Sequence, residues 1–215
     1  DLKKLWSALA ALCVATGTVA QPAYNYSKLQ KEQLGRGVVA IRENPSDVVV
    51  SWRYLSSDPI NTSFNVYRNG EKIAEVPHST GTFYRDTYSG NEKAVYTVKP
   101  VINGVETGKL NGNYTLPANA PSGYIDIPLD RPAEGVTPSG QKYTYSPNDA
   151  SIGDVDGDGE YEIILKWDPS NAHDNAHDGY TGNVYFDCYR LTGEKLWRID
   201  LGHNVRAGDR KSPRL

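Results

Sequence analysis

The strongest chemical signal in the sequence is a short segment in which carboxylates alternate with other residues. It runs Asp-Val-Asp-Gly-Asp-Gly from residue 154 to residue 159, and its candidate metal ligands are Asp154, Asp156, Asp158, Glu160 and Glu162. Alternate carboxylates can curl around one hard cation, and glycine permits the sharp turn this requires. Glu160 would offer its backbone carbonyl, and Glu162 would close the shell. Carboxylates this close repel one another without a divalent ion, so we predict a metal site; the alternative is an acidic surface turn without a fixed ion.

The residues that follow the acidic segment distinguish it from an EF-hand. The twelfth position from Asp154 is Leu165, where an EF-hand has a bidentate Glu. The flanking residues 161–167 alternate like a strand and show no helical period. Calcium suits the segment better than magnesium, because several carboxylates and a carbonyl form a large, flexible oxygen shell. We expect a structural ion that ties the loop to the next strand and contributes to folding.

A second polar segment offers weaker candidates for chemistry. Asp168, Asp174 and Asp178 could contribute to a further calcium site. His173 and His177 are four residues apart and would share one face of a helix, as zinc ligands can, but the turn-rich sequence around them favours solvated histidines. The chain has no Ser-His-Asp pattern with local support, no phosphate-binding glycine loop and no nucleotide fingerprint. The catalytic residues therefore stay unknown from the motifs alone.

The composition predicts a folded, strand-rich chain. The 215 residues are 38% hydrophobic, and 15 Tyr, 4 Trp and 20 Gly favour strands and turns over helices. A formal net charge of −3 gives no basic footprint for nucleic acid. The length suits one large domain or two small ones and leaves the oligomeric state open.

The first 20 residues have the order of an export signal. Lys3 and Lys4 precede an apolar run over residues 5–14, and small residues at 18–20 suit cleavage before Gln21. The prediction is a signal peptide over 1–20 and a secreted or periplasmic protein; a short buried helix is the alternative. The run is too short to span a bilayer. After cleavage Cys188 is the single cysteine, so no disulfide within the chain is expected.

Regularly spaced strand signals follow a short N-terminal segment at 21–35. Residues 47–54 alternate, Asn69-Gly70 is a strong hairpin signal, and residues 94–102 form the longest strand candidate. Roughly seven short strands predict a β-sandwich over 36–116. Trp52, Phe64 and Tyr96 are expected in its core. Their positions resemble those of a fibronectin type III-like module, in which Tyr96 would suit a tyrosine corner.

A linker at 117–123 precedes a different pattern of strands. Strand candidates at 124–129, 143–145 and 161–167 are followed by a hairpin over 183–200. An acidic loop that leads into a four-stranded meander is typical of one β-propeller blade, and one blade cannot bury both of its faces. The predicted fold is therefore all-β: a β-sandwich, then the first blade of an incomplete propeller over 124–208.

Three ordered stretches give the chain a resemblance to a known family. They are residues 146–162, the segment Leu-Lys-Trp-Asp-Pro-Ser-Asn-Ala at 165–172, and residues 178–183 continuing to 196–202 and 204–208. Together they resemble the rhamnogalacturonan lyases of polysaccharide lyase family eleven, and the resemblance extends back through the sandwich to about residue 22.

The resemblance implies a pectin-degrading enzyme with a calcium-rich propeller. Such lyases cleave the rhamnose–galacturonic acid backbone by β-elimination. Calcium neutralises the uronate, a base removes the C5 proton and the C4–oxygen bond breaks. By resemblance the acidic loop is the calcium loop of the first blade. Asn148 and Asp149, with Asp168, would meet substrate or a second metal, although turn formation explains Asn148-Asp149 equally well.

The last seven residues depart from the resemblance. The family continues into a second blade, whereas residues 209–215 are basic and aperiodic. We therefore expect an N-terminal lyase portion that lacks the proton-abstracting groups and is inactive by itself. One alternative is a non-catalytic, calcium-dependent carbohydrate-binding or adhesion module. Another is a degenerate chain that does not fold.

Overall fold

The computed structural model describes residues 32–174 and 176–208, and these residues are all-β. The strands are β1 (Val39–Asn44), β2 (Asp47–Ser51), β3 (Ser63–Arg68), β4 (Glu71–Val76), β5 (Phe83–Thr87), β6 (Ala94–Ile102), β7 (Val105–Glu106), β8 (Gly112–Leu116), β9 (Gly135–Val136), β10 (Lys142–Tyr143), β11 (Tyr145–Gly153), β12 (Glu162–Pro169), β13 (Tyr185–Tyr189) and β14 (Lys195–Asp200). The all-β prediction is thus confirmed. The predicted signal peptide, residues 21–31 and the tail at 209–215 lie outside the described residues. Within the described part, no helix is long and apolar enough to cross a membrane.

Two antiparallel sheets pack against each other in the N-terminal half. The first has the order β1-β2-β5; in the second, β4 pairs with β3, β3 with β6, and β6 with both β7 and β8. Both sheets contribute to one buried core, whose members are Val38, Ala40, Val48, Val50, Trp52, Phe64, Val66, Val76, Ala94, Tyr96, Val98 and Leu116. Because side chains alternate between the faces of a strand, the spacing of two along β2 and β6 directs these residues inward.

The predicted core aromatics lie in this core. The rings of Trp52 and Phe64 pack edge to face with centroids 5.4 Å apart. The hydroxyl of Tyr96 donates a 2.8 Å hydrogen bond to Asp86 Oδ2. Tyr96 therefore bonds a carboxylate on β5, and this bond joins the second sheet to the first.

A four-stranded antiparallel meander, β11-β12-β13-β14, forms the C-terminal half. Its central strand β12 is buried along most of its length, and Trp167, Tyr145, Leu165 and Tyr189 form a small cluster on it. The carboxylate of Asp187 is fully buried and accepts hydrogen bonds from Trp167 Nε1, from the Tyr189 hydroxyl and from Arg198. Burial would raise the pKa of Asp187, but these three donors outweigh burial and lower it.

Two elements differ from the prediction. Residues 124–129 form no strand. The segment that contains them contacts the four-stranded sheet at Asp130, whose backbone N–H donates to the Tyr189 hydroxyl and whose carboxylate pairs with Lys195. Strand β11 has nine residues, although only its first was predicted as strand. Most of β11 is exposed and polar, so it lacks the alternation by which strands are recognised in a sequence.

Candidate metal centre

The acidic loop connects β11 to β12, and its ends are held by the Gly153–Glu162 pair of the strand ladder. Asp154 closes the turn, because its two carboxylate oxygens accept hydrogen bonds from the N–H groups of Gly157 (2.8 Å) and Gly159 (3.1 Å). Gly159 has a φ of 91°, which a side chain would disfavour. The loop conformation therefore follows from the local sequence, as carboxylates that bond the backbone two to five residues ahead commonly determine turns.

Three of the five predicted ligands come together. Oxygen atoms of Asp154, Asp156 and Glu162 all lie within 4.8 Å of one another. Glu162 is only 1% exposed, and one of its oxygens accepts a 3.0 Å hydrogen bond from the Val155 N–H. Burial and the charges of Asp156 and Asp158 raise the pKa of Glu162. A buried carboxylate beside other carboxylates is an electrostatic strain that a divalent cation would relieve, so this donor set fits a hard cation.

The other two predicted ligands have partners outside this cluster. Asp158 Oδ2 accepts a 2.7 Å hydrogen bond from Arg190, and this bond lowers the pKa of Asp158. Glu160 directs its carboxylate toward the sandwich, where Oε1 accepts a hydrogen bond from the Gly37 N–H at 3.2 Å. Four carboxylates and the Glu160 backbone carbonyl were predicted as ligands, and three of these carboxylates converge.

Arg190 is a cation at the loop that the sequence did not single out. Its guanidinium donates to Asp156 Oδ2 at 2.6 Å as well as to Asp158, and it lies 3.5 Å from Glu194. Arg190 follows β13 directly, and no spacing relates it to the acidic segment. The antiparallel pairing of β12 with β13 alone brings it there. Arg190 therefore neutralises part of the negative charge that the loop concentrates.

A second polar group forms around an irregularity of the ladder. Pro147 pairs with Trp167 and Ala150 pairs with Leu165, so two residues, Asn148 and Asp149, lie opposite the single residue Lys166. This arrangement is a β-bulge, a feature that redirects side chains and is frequent at functional sites. We call Asn148, Asp149, Lys166 and Asp168 the bulge group.

Three residues of the bulge group were predicted as site residues, and two of them, Asn148 and Asp168, are in direct contact. The amide of Asn148 donates to one carboxylate oxygen of Asp168, and the ammonium of Lys166 lies 2.9 Å from the other. Asp149 is exposed beside them. Lys166 is 2% exposed, which is unusual for a lysine. The bulge opposite Lys166 leaves no signal in the sequence.

The histidine pair does not form a zinc site with a third ligand among the residues that the structure describes. The rings of His173 and His177 are 6.4 Å apart and lie edge to face, and His173 Nδ1 is 2.9 Å from the Asn171 carbonyl. Asp174 accepts a hydrogen bond from the Ala176 N–H within its own turn. In the described ranges, the acidic loop holds the one group of three or more metal-type side chains that converge.

Two family models match the chain over adjacent segments. Residues 29–114 match the "Rhamnogalacturonan I lyases beta-sheet domain", and residues 124–214 match "Rhamnogalacturonan lyase family 11, C-terminal domain". The first match contains the two-sheet body, and the second contains the four-stranded sheet with its acidic loop.

Similar proteins and solved structures agree with these matches. The chain is 50% identical over 181 residues to the rhamnogalacturonan endolyase YesW of Bacillus subtilis (strain 168), which covers 83% of this chain and 28% of YesW. It is 49% identical to the exolyase YesX of the same organism, over 84% of this chain and 29% of YesX. The crystal structure of YesW superposes with a TM-score of 0.72, covering 83% of this chain and 30% of YesW. A Bacillus licheniformis rhamnogalacturonan lyase superposes with a TM-score of 0.69 at 49% identity, over 83% of this chain and 30% of that one. The chain spans less than a third of the length of these relatives.

Proposed function

Because this chain is a homologue of the family 11 rhamnogalacturonan lyases over less than a third of their length, we propose that it is an N-terminal-like portion of such a lyase that binds calcium and acidic pectic polysaccharide. The observation that carries the proposal is the convergence of Asp154, Asp156 and Glu162 within a segment that matches the family model. The predicted ligands Asp158 and Glu160 complete the proposed calcium site, Asp158 by its carboxylate and Glu160 by its backbone carbonyl.

The donor set supports calcium over softer metals. All its side-chain ligands are carboxylates, and neither histidine nor cysteine converges with them among the described residues. Cys188 lies near enough for the charges of Glu162 and Asp156 to contribute to its pKa, which burial raises to about 11. At neutral pH the Cys188 thiol is therefore protonated, and a protonated thiol is a poor metal ligand.

The bulge group is the proposed contact surface for substrate or a second ion. The Lys166 ammonium forms an ion pair with one oxygen of Asp168, and the Asn148 amide donates a hydrogen bond to the other. These two interactions orient the carboxylate. A bound calcium ion would supply charge neutralisation at a uronate carboxylate. We propose that Asn148, Asp149 and Asp168 orient the acidic sugar, and that the base for the β-elimination comes from residues outside this chain.

The finer architecture is proposed on the same basis. The order β1-β2-β5 against β4-β3-β6-β8 supports a fibronectin type III-like sandwich. The meander β11-β12-β13-β14 supports the first blade of a β-propeller, because an acidic loop together with a four-stranded meander is typical of one blade. We further propose export through residues 1–20, a prediction that rests on the sequence alone.

Binding and cleavage can be tested with the 215-residue chain. Titration calorimetry should show binding of rhamnogalacturonan I backbone oligosaccharides in a buffer with calcium and no binding in a buffer with EGTA. In the calcium buffer, rhamnose-free oligogalacturonate should bind more weakly. Absorbance of unsaturated product should stay at baseline. Asp168→Asn should abolish sugar binding and leave calcium binding at the acidic loop intact, and exposed Glu134→Gln should change neither.

The possible outcomes separate the candidate functions. Formation of unsaturated product by this chain alone would show that its own residues include the base, against our proposal. Equal affinity for every acidic polysaccharide would favour a general adhesion module. A chain that binds calcium but no saccharide under any condition would refute the substrate assignment.

A further inference from the structure

The acidic loop is attached to the sandwich as well as to its own sheet. The Gly35 N–H donates a 2.6 Å hydrogen bond to the Gly159 carbonyl, and Arg53 Nη1 lies 3.2 Å from the same oxygen. Arg53 also donates to the Gly35 carbonyl at 3.1 Å. One oxygen at the end of the proposed metal loop thus accepts from two residues that belong to the sandwich half.

Further contacts extend this attachment along the loop. The Asp154 N–H donates to Glu32 Oε1 at 3.1 Å, and the Gly37 N–H donates to Glu160 Oε1 at 3.2 Å. The guanidinium of Arg53 lies 4.5 Å from the centre of the Tyr161 ring, a cation–π distance. The contacts reach the first and the seventh positions of the loop, so they span the segment that would fold around an ion.

Gly35 is where the two backbones approach most closely. A Cβ atom at Gly35 would lie 3.3 Å from the Gly159 carbonyl oxygen and 2.8 Å from Glu160 Oε1. A Cβ at Gly159 would lie 2.7 Å from the Gly35 nitrogen. A side chain at Gly159 would therefore clash with the backbone of Gly35, and one at Gly35 would displace the Glu160 carboxylate and crowd the Gly159 carbonyl.

From these contacts we infer that Gly35, which precedes β1, and Arg53, which follows β2, are positioning residues for the cation loop, so that cation binding and the docking of the loop onto these two residues strengthen each other. The physical reason is linkage: an interaction that favours the binding-competent loop raises its affinity, and the ion favours the interaction by the same factor. The inference rests on the proposed cation site but requires no lyase activity.

The linkage can be measured with a charge-neutral pair of variants. Gly35→Ala should weaken calcium binding about tenfold by titration calorimetry, or about 1.4 kcal/mol. Gly108→Ala is the matched control, since a Cβ there meets nothing within 4 Å. It should bind calcium like the wild type. If Gly35→Ala also binds like the wild type, the linkage is wrong and the cation site stands. If the wild type binds no calcium, both proposals fall.

Replacement of Arg53 separates charge from positioning, because loss of its charge and loss of its contacts should change the calcium affinity in opposite directions. Removing a cation near an acidic loop should by Coulomb's law tighten calcium binding. Loss of the contacts to Gly159 and Tyr161 should weaken it. We expect Arg53→Gln to bind calcium about threefold to tenfold more weakly. Tighter binding would contradict the positioning role.

Hydrogen exchange on the wild-type chain tests the reverse direction without any substitution. Saturating calcium should slow exchange of the Gly35 and Gly37 amides, which donate to the loop. The Asn69 amide, which donates to the Val95 carbonyl in the second sheet, serves as an internal reference. Calcium uptake without a change at Gly35 and Gly37 would overturn the inference.

Discussion

At the scale of single residues, Glu162 combines near-complete burial with two neighbouring acidic groups. Without an ion this charge opposes folding, because its burial is not matched by a cationic partner among the donors to its carboxylate. With an ion the same charge becomes a ligand. Its effect on stability should therefore reverse sign with the metal.

Glu162→Gln tests this reversal. In EGTA the variant should be more stable than the wild type by about 1 kcal/mol, and in calcium it should be less stable, because a ligand is lost. Thermal melts in both buffers measure the difference. Exposed Glu134→Gln should show no reversal. A variant that is destabilised equally in both buffers would indicate a structural role without metal.

Glu106, which lies in the sandwich, makes a pH-dependent contribution to the stability of the fold. Its carboxylate accepts hydrogen bonds from Asn65, Tyr67 and Lys99, in that order of effect, and its pKa falls to about 2. A lowered pKa means that the ionised form stabilises the fold above the ordinary pKa of 4.5, and that this stabilisation is lost as pH falls toward 2.

Glu106→Gln should therefore lower the free energy of unfolding at pH 7 by about 1–2 kcal/mol, a figure reduced for partial exposure. The difference from the wild type should shrink as pH falls below 4.5. Urea denaturation between pH 2.5 and pH 7 measures it. Glu75→Gln, in an exposed pair with Lys72, is the control and should stay within about 0.5 kcal/mol at all pH values.

At the scale of elements, the bulge in β11 determines which side chains lie opposite Lys166 of β12. Two residues lie opposite Lys166, and one of them, Asn148, donates a hydrogen bond to Asp168. Lys166 is nearly inaccessible, while Asp168 keeps about a fifth of its side chain exposed. Lys166 therefore needs Asp168 to balance its buried charge, whereas water can partly solvate Asp168 without Lys166.

Removing either partner should show this asymmetry. Asp168→Asn leaves a buried ammonium unpaired and should cost about 3 kcal/mol, whereas Lys166→Met leaves a partly hydrated carboxylate and should cost about 1–2 kcal/mol. The double variant should recover most of the loss. Urea denaturation gives all three values. Equal losses for the two single variants would show that Lys166 reaches water.

At the scale of the whole molecule, the acidic loop lies where the two halves of the described chain meet. Its contacts with Gly35, Arg53 and Gly37 join the sandwich to the four-stranded sheet. A cavity of about 740 Å³ beside it is lined by both halves, with Val38 and Leu116 on one side and Glu162 and Arg190 on the other. A ligand that orders the loop should therefore affect both halves.

Scanning calorimetry should show this effect. At 100 times the dissociation constant, calcium should add about 2.7 kcal/mol of stability. The sandwich and the four-stranded sheet should then unfold in one transition, and in EGTA they should separate into two. Asp156→Asn, which removes one converging carboxylate, should abolish most of the calcium shift. A calcium shift confined to one of two separate transitions would show that the halves are independent.

The sequence by itself determined the local features of this protein. Alternation over residues 47–54 indicated the burial of Trp52, and the spacing of the acidic segment indicated three carboxylates that converge, because both depend on residues close together in the chain. The family resemblance followed from ordered local matches of the same kind.

The tertiary structure alone decided which distant residues meet. Strand pairing brings Arg190 to Asp156, a bulge places two residues opposite the buried Lys166, and Gly35 contacts Gly159 across 124 positions of the chain. Contacts of this kind depend on register, and a shift of one residue would turn every side chain of a strand to its other face. Local alternation and turn geometry constrain the register, but which residues of two distant strands face each other also depends on how the strands pack, so one segment alone does not encode these contacts.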